Sequence, residues 1–122
     1  EHDAVLPWNN YAWSKLGGEC AVQMYRNSLI LRVCMTEKPF IHKKAFANVK
    51  LNFIFQDELA KILIMILDKK GIINIGGPSK TVYDFAKKYN PKVRKKFVNK
   101  NLRNGFPLNS FMDLSKLKKS IR

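Results

Sequence analysis

The sequence predicts an α/β layered fold, and three observations carry that reading. Short apolar runs at Leu29–Val33, 51–55 and Gly71–Ile75 alternate with longer stretches of helical character. The first run, at Leu29–Val33, is consistent with a buried strand of a parallel sheet. The chain has 122 residues, 46% of them apolar, which is enough for one compact unit over 1–122 and too few for two.

Taken in order, residues 1–8 read as an extended lead-in, with Pro7 stopping any earlier helix. A helix is predicted over 10–26, capped by Asn9 or Asn10. Its apolar residues Leu16, Cys20 and Met24 fall at i, i+4 and i+8, a narrow stripe expected to be buried. Gly17 and Gly18 each cost a helix about 1 kcal/mol relative to Ala. They would allow a neighbouring backbone or partner helix to come close, or be simply tolerated.

After the strand at Leu29–Val33, residues 35–50 show no clean period and read as a loop with one turn of helix near 43–48. A second strand follows at 51–55. The helix predicted over 56–69 is apolar on nearly all sides between 59 and 67, and is expected to pack on several neighbours. After the third strand, Gly76-Gly77-Pro78 is a turn. It lacks the spacing of a phosphate-binding loop. A short helix over 81–89 places Val82, Phe85 and Ala86 on one face, and Asn90-Pro91 ends it. Alternating Lys and apolar residues over 93–98 suit an edge strand. An amphipathic helix over 113–121 completes the chain.

The formal net charge is +14, and residues 80–122 hold 13 Lys or Arg against 2 acidic residues. Such a half attracts polyanions; the competing reading is a solvated Lys-rich surface. No nucleic-acid motif accompanies the charge, so nucleic acid is not the expected partner. The longest apolar run, at 62–67, is six residues, against about 20 for a membrane span, so no membrane association is expected. Cys20 and Cys34 have no metal-ligand spacing and are expected to be buried, reduced thiols, as in a cytoplasmic protein. His2 and His42 lack a third ligand in recognisable spacing, so no metal site is expected.

The chemistry centres on Tyr11 and Lys15. Four residues apart on a helix, their side chains share one face about one turn apart. An ammonium group beside a phenol favours the phenolate. Such a Tyr can serve as general acid or base nearer neutral pH. The competing reading is a surface Tyr and Lys. Trp8 and Trp13 flank Tyr11 and would wall a ring-binding site or, more simply, pack in the core.

The residues around the pair bear a resemblance. Pro7-x-Asn9-Asn10-Tyr11-Ala12-x-Ser14-Lys15-Leu16-x-Gly18-Glu19 is similar to the P-x-N-x-Y-G-x-S-K-L-x-G-E signature of the extended short-chain dehydrogenase/reductases (NAD-dependent epimerase/dehydratase type), nearest their dTDP-4-dehydrorhamnose reductase branch. Ser28-Leu29-Ile30-Leu31-Arg32-Val33 resembles the strand that follows the catalytic helix there. Phe53-Ile54-Phe55-Gln56-Asp57-Glu58-Leu59-Ala60 resembles the H-x-x-D-L-A helix entry, and Gly71-Ile72-Ile73-Asn74-Ile75-Gly76 the G-x-Y-N-I-G strand. The run from Phe106 to Leu117 resembles R-P-x-N-S-x-L-D-x-S-K-L. Five blocks in family order are far more specific than any one.

The resemblance implies the C-terminal part of a Rossmann-like, doubly wound reductase with its substrate-binding subdomain. It implies hydride transfer between NAD or NADP and a keto group on a nucleotide-linked sugar. Tyr11 would be the general acid, and Lys15 its activator and holder of the nicotinamide ribose. Arg32, at a strand end, would help bind cofactor, with a structural ion pair as the rival reading. Asn109, Ser110 and Lys116 would lie on the substrate side, the rival reading being a helix entry with Asp113 or Ser110 as cap. Two family parts are not in these residues: the Gly-rich loop that seats the pyrophosphate, and the Ser or Thr upstream of the Tyr. The 35–50 segment is also shorter than in the family. The 122 residues alone are therefore expected to lack reductase activity, and to self-associate as a dimer or larger through exposed sheet. The rival function is a non-catalytic relative acting as a dimerisation or binding module.

Overall fold

Two five-residue strands form the centre of the molecule. In this computed structural model, which describes residues 1, 3, 5–99 and 107–121, β1 (Leu29–Val33) and β6 (Gly71–Ile75) pair in parallel. Their register runs from Leu29 opposite Gly71 to Val33 opposite Ile75. Because side chains alternate across a strand, Leu29, Leu31, Val33, Ile73 and Ile75 form one apolar face. The helices α2 (Gln56–Ile66) and α4 (Ser115–Ser120) cover it through Ile66 and Leu117. Ile30, Arg32, Ile72 and Asn74 point to the other side. A parallel pair needs a long crossover between its strands, and residues 34–70 provide it.

The first helix, α1 (Asn10–Gln23), is capped by Asn9, whose Oδ1 accepts from the Ala12 amide at 2.8 Å. It ends three residues before the expected Arg26, in a turn where the Met24 and Tyr25 amides reach back to Ala21 and Val22. The predicted buried stripe is not there. No residue of α1 is buried, Leu16 is half-buried, Cys20 is exposed, and Met24 is 83% exposed. Among the described residues outside the local helix backbone, nothing comes within 4 Å of a Cβ built on Gly17 or Gly18, so no close approach explains these glycines. Trp8 and Trp13 likewise stand partly or largely exposed and not in the core. Cys20 departs from the expected burial, Cys34 is half-buried, and both thiols are free.

The predicted strand at 51–55 is two strands, β4 (Lys50–Leu51) and β5 (Ile54–Phe55). Asn52 separates them. Its buried side chain donates to Gly77 O at 2.8 Å and accepts from the Met112 amide at 2.6 Å, turning the chain toward two other segments. That close approach explains the glycines of the 76–78 turn. A Cβ on Gly77 would lie 2.4 Å from Phe53 O. β5 pairs in parallel with β2 (Met35–Thr36), and β4 runs antiparallel to β7 (Lys80–Thr81). The predicted helical turn near 43–48 is instead β3 (Lys44–Phe46), paired in parallel with β8 (Arg94–Lys96). Pairing to a segment fifty residues away, with Ala45 1% exposed between them, overrides the local pattern.

α2 ends at Ile66, short of the predicted Lys69, and Leu63, Ile64, Met65 and Leu67 remain exposed. Its first turn carries Asp57 and Glu58, which suit the positive end of the helix. Gly71 opens β6 at φ +81°, a left-handed conformation that favours glycine. α3 (Val82–Tyr89) is capped by Thr81, whose hydroxyl accepts from the Asp84 amide at 3.0 Å. It buries Val82 and Ala86 in a second core with Phe40, Ala45, Val49 and Val93. No helix among the described residues is long and apolar enough to cross a membrane.

Candidate functional site

Tyr11, Lys15 and Glu19 recur at four-residue spacing on α1, so the helix presents them as one row. The row faces β1. Between them lies a cavity of about 420 Å³, lined by Tyr11, Lys15, Glu19, Ile30, Arg32 and Val33 among others. Lys15 Nζ sits 5.3 Å from the centroid of the Tyr11 ring, a cation–π arrangement. Tyr11 is 69% exposed, so its phenol is open to a reacting group.

Arg32 reaches from the sheet into the same row. Its Nε donates to Glu19 Oε2 at 3.0 Å and its Nη2 to Glu19 Oε1 at 2.6 Å, a bidentate fork. Nη1 donates to the Glu1 carbonyl at 3.2 Å. The guanidinium, by hydrogen bond and charge, holds the Glu19 carboxyl below its ordinary range, with Gln23 adding a donor. Of the two readings of Arg32, the geometry displays the ion pair.

The remaining predicted residues stand elsewhere. Asn109 bridges to Lys50, and the Ser110 amide donates to Lys50 O at 3.1 Å, so this segment runs beside β4. Lys116 Nζ donates to Ile72 O, at the entering end of β6. None of the three lines the Tyr11–Lys15 cavity. The cap of α4 is Leu114, not Asp113 or Ser110; Asp113, just before it, accepts from the Ser115 amide at 2.8 Å, which lowers its carboxyl below the ordinary range. His2 and Phe106 lie outside the described residues. Among the described residues no group of three His, Cys, Asp or Glu could hold a metal.

Sequence reasoning missed a second cavity, of about 290 Å³, beside α3. Phe40, Phe46, Val49 and Phe53 wall it, and Lys44 and Lys96 stand among its lining residues. Lys96 Nζ lies 4.1 Å from the Phe46 ring centroid. The alternating Lys and apolar pattern of 93–98 was its one signal. Its other half is β3, which the sequence did not reveal as a strand.

No family model matches the sequence, and no curated protein matches it. Solved structures do match. The chain superposes on a hypothetical dTDP-4-dehydrorhamnose reductase from Sulfolobus tokodaii with a TM-score of 0.78 and 25% identity, over 98% of this chain and 50% of that one. It superposes on a dTDP-4-dehydrorhamnose reductase from Bacillus anthracis, in complex with NADP, with a TM-score of 0.77 and 18% identity, over 98% and 51%. A UDP-glucuronic acid 4-epimerase from Bacillus cereus, in complex with NAD, gives 0.69 and 20%, over 98% and 48%. The chain thus spans about half the length of each structure. In fold, it corresponds to one half of an α/β, Rossmann-like reductase similar to the dTDP-4-dehydrorhamnose reductases.

Proposed function

We propose that this chain is the catalytic-helix and substrate-binding portion of an NAD(P)-dependent reductase acting on a keto group of a nucleotide-linked deoxy sugar. The observation that carries the reading is the Tyr11–Lys15 pair on one open helix face, lining a cavity against β1, in a fold shared with such reductases. In the reaction, Tyr11 Oη gives its proton to the carbonyl oxygen of the sugar as that carbon is reduced. Lys15 Nζ stabilises the charge left on the phenol oxygen and meets the ribose hydroxyls of the nicotinamide nucleotide. General acid help of this kind is typically worth about 10² to 10⁴ in rate.

The residues present fit one end of the cofactor. The open Tyr11–Lys15 row can meet a ribose and a nicotinamide ring, whereas no Gly-rich loop for the pyrophosphate occurs in the 122 residues. The nicotinamide, when bound, supplies the hydride; this chain supplies position and the proton. Arg32 is engaged with Glu19, so we assign ribose contact to Lys15 and Tyr11 and not to Arg32.

On the substrate side, Asn109 and Ser110 border β4. The α3-side cavity, apolar walls with two lysines, suits a base and its phosphates. Lys116 is already bound to the backbone of β6, which supports a structural role over contact with substrate. The compartment we read as cytoplasmic, from two free thiols.

Saturation-transfer NMR of the 122-residue chain with a dTDP-linked 6-deoxy sugar tests the reading. The expected result is binding that Lys44→Glu and Lys96→Glu weaken about tenfold or more, as lost charge-assisted contacts should, with no NADPH oxidation by the chain alone. Absence of binding to any nucleotide sugar would favour the rival reading, a binding or dimerisation module. Exposed apolar side chains on and beside α1 and α2, Leu6, Met24 and Ile64 foremost, give that rival its support.

A further inference from the structure

We propose that Glu19 and Arg32 are positioning residues, whose fork seats the Tyr11–Lys15 row of α1 over β1 in place of apolar packing. This rests on the reading of Tyr11 and Lys15 as the reacting pair. Three observations lead to it.

The first is what α1 lacks. It has no buried residue, whereas α2, α3 and α4 each bury at least one apolar side chain in a core. The second is where the fork lies. Glu19 is one turn beyond Lys15 and two beyond Tyr11, on the same row. The Arg32 side chain rises from the sheet face opposite to the Leu31 and Val33 core. The third is how the fork is made. Both side chains are largely shielded, 13% exposed for Glu19 and 25% for Arg32, and all four guanidinium and carboxylate atoms that face each other are used in two short bonds. A shielded bidentate pair fixes direction as well as distance. It therefore sets the rotation of α1 about its axis, which decides whether Tyr11 points into the cavity or past it. A 14-residue helix has little support of its own, since helices of that length are marginal in water, and besides Glu19 only Ala12 and Leu16 of α1 are half-buried.

The fork is also a pH-sensitive element. Facing Glu19 are Arg32 from β1, and Gln23 and Lys15 from α1; facing Arg32 are Glu19, Glu1 and Asp3. Because Glu19 is held below its ordinary range, the seating persists as pH falls through that range and is lost only when Glu19 itself takes a proton.

Hydrogen exchange and NOE spectroscopy on the labelled 122-residue chain test the proposal. In Glu19→Gln, amide protection along α1 is expected to fall about tenfold, the shift that loss of one charge-assisted hydrogen bond produces. NOEs from the Tyr11 ring to the Ile30 methyls, which line the same cavity on the Arg32 face of β1, are expected to vanish with it, while β1–β6 and α3 amides keep their protection. The reversed pair, Glu19→Arg with Arg32→Glu, is expected to restore both signals, and α1 protection is expected to titrate with acid in wild type and in the reversed pair but not in Glu19→Gln. Unchanged α1 protection in Glu19→Gln would overturn the proposal, because packing would then seat the helix. Equal loss in α1, α3 and β1–β6 would overturn it too, leaving a general structural ion pair. So would lost protection with the Tyr11 NOEs intact. None of these readouts passes through turnover. If Tyr11→Phe were to leave sugar reduction unaffected, the role of Tyr11 would fall and the seating would stand.

Discussion

The helices α1 and α3 solve the same problem in opposite ways. α3 is eight residues long, yet it carries a hydroxyl cap at Thr81, an acid in its first turn, two lysines in its last, and two buried apolar residues. Each of those features agrees with the others. α1 is fourteen residues long, with a cap at Asn9 but no charge at either end to meet its dipole and nothing buried. It holds to the sheet by the Glu19–Arg32 fork. The difference separates a scaffold from a presenting element. α3 belongs to a core, and α1 leaves Tyr11 and Lys15 open beside a cavity against β1.

The comparison breaks first in the cores. Phe55, 2% exposed and in ring contact with Phe85 and Tyr89, ties β5 to α3. Phe55→Ala is expected to cost about 3–5 kcal/mol, measured by urea unfolding, whereas Trp13→Ala on α1 should stay within about 0.5 kcal/mol, as for other exposed sites. A smaller effect is expected at the crowded turn. Gly77→Ala must push the Phe53 carbonyl aside from 2.4 Å, at a cost of about 1–3 kcal/mol. A Gly77→Ala chain as stable as wild type would contradict the close approach described.

Much of this contrast was legible in the sequence. The Val82–Phe85–Ala86 face declared α3, and the short apolar runs declared β1 and β6. The Tyr11–Lys15 spacing placed the two side chains on one helix face, where the fold also has them. What the sequence hid has physical reasons. Leu16, Cys20 and Met24 have the period of a buried stripe, but period states only which face is apolar, not whether this chain supplies something to cover it. β3 was hidden because its stability comes from β8, fifty residues away, and not from the propensity of Lys44-Ala45-Phe46. Arg32 at a strand end left cofactor contact and ion pairing open; only the fold brings Glu19 to it, thirteen residues earlier and on another layer.

Finer changes sharpen the comparison. Thr81→Ala should cost about 1 kcal/mol globally through the lost cap. Asn9→Ala removes a cap of similar strength, but its effect should appear as faster exchange confined to the first turn of α1, because α1 contributes little to either core. The smallest effect is the acid dependence of α1. A carboxyl whose folded range lies below its unfolded one stabilises the fold above the unfolded value and ceases to do so as pH falls through the folded value. Far-UV circular dichroism of wild type and Glu19→Gln should therefore converge in acid and diverge near neutrality, with wild type the more helical; parallel curves would count against the fork.

The most direct test of the central claim is reduction of dTDP-4-dehydrorhamnose with deuterated NADPH by the source protein that carries this chain, comparing wild type with Tyr11→Phe. The account predicts deuterium on the reduced sugar carbon in wild type and a rate at least about 10²-fold lower in the variant. Equal rates in the two proteins would contradict it, and would leave the Tyr11–Lys15 row without a chemical role.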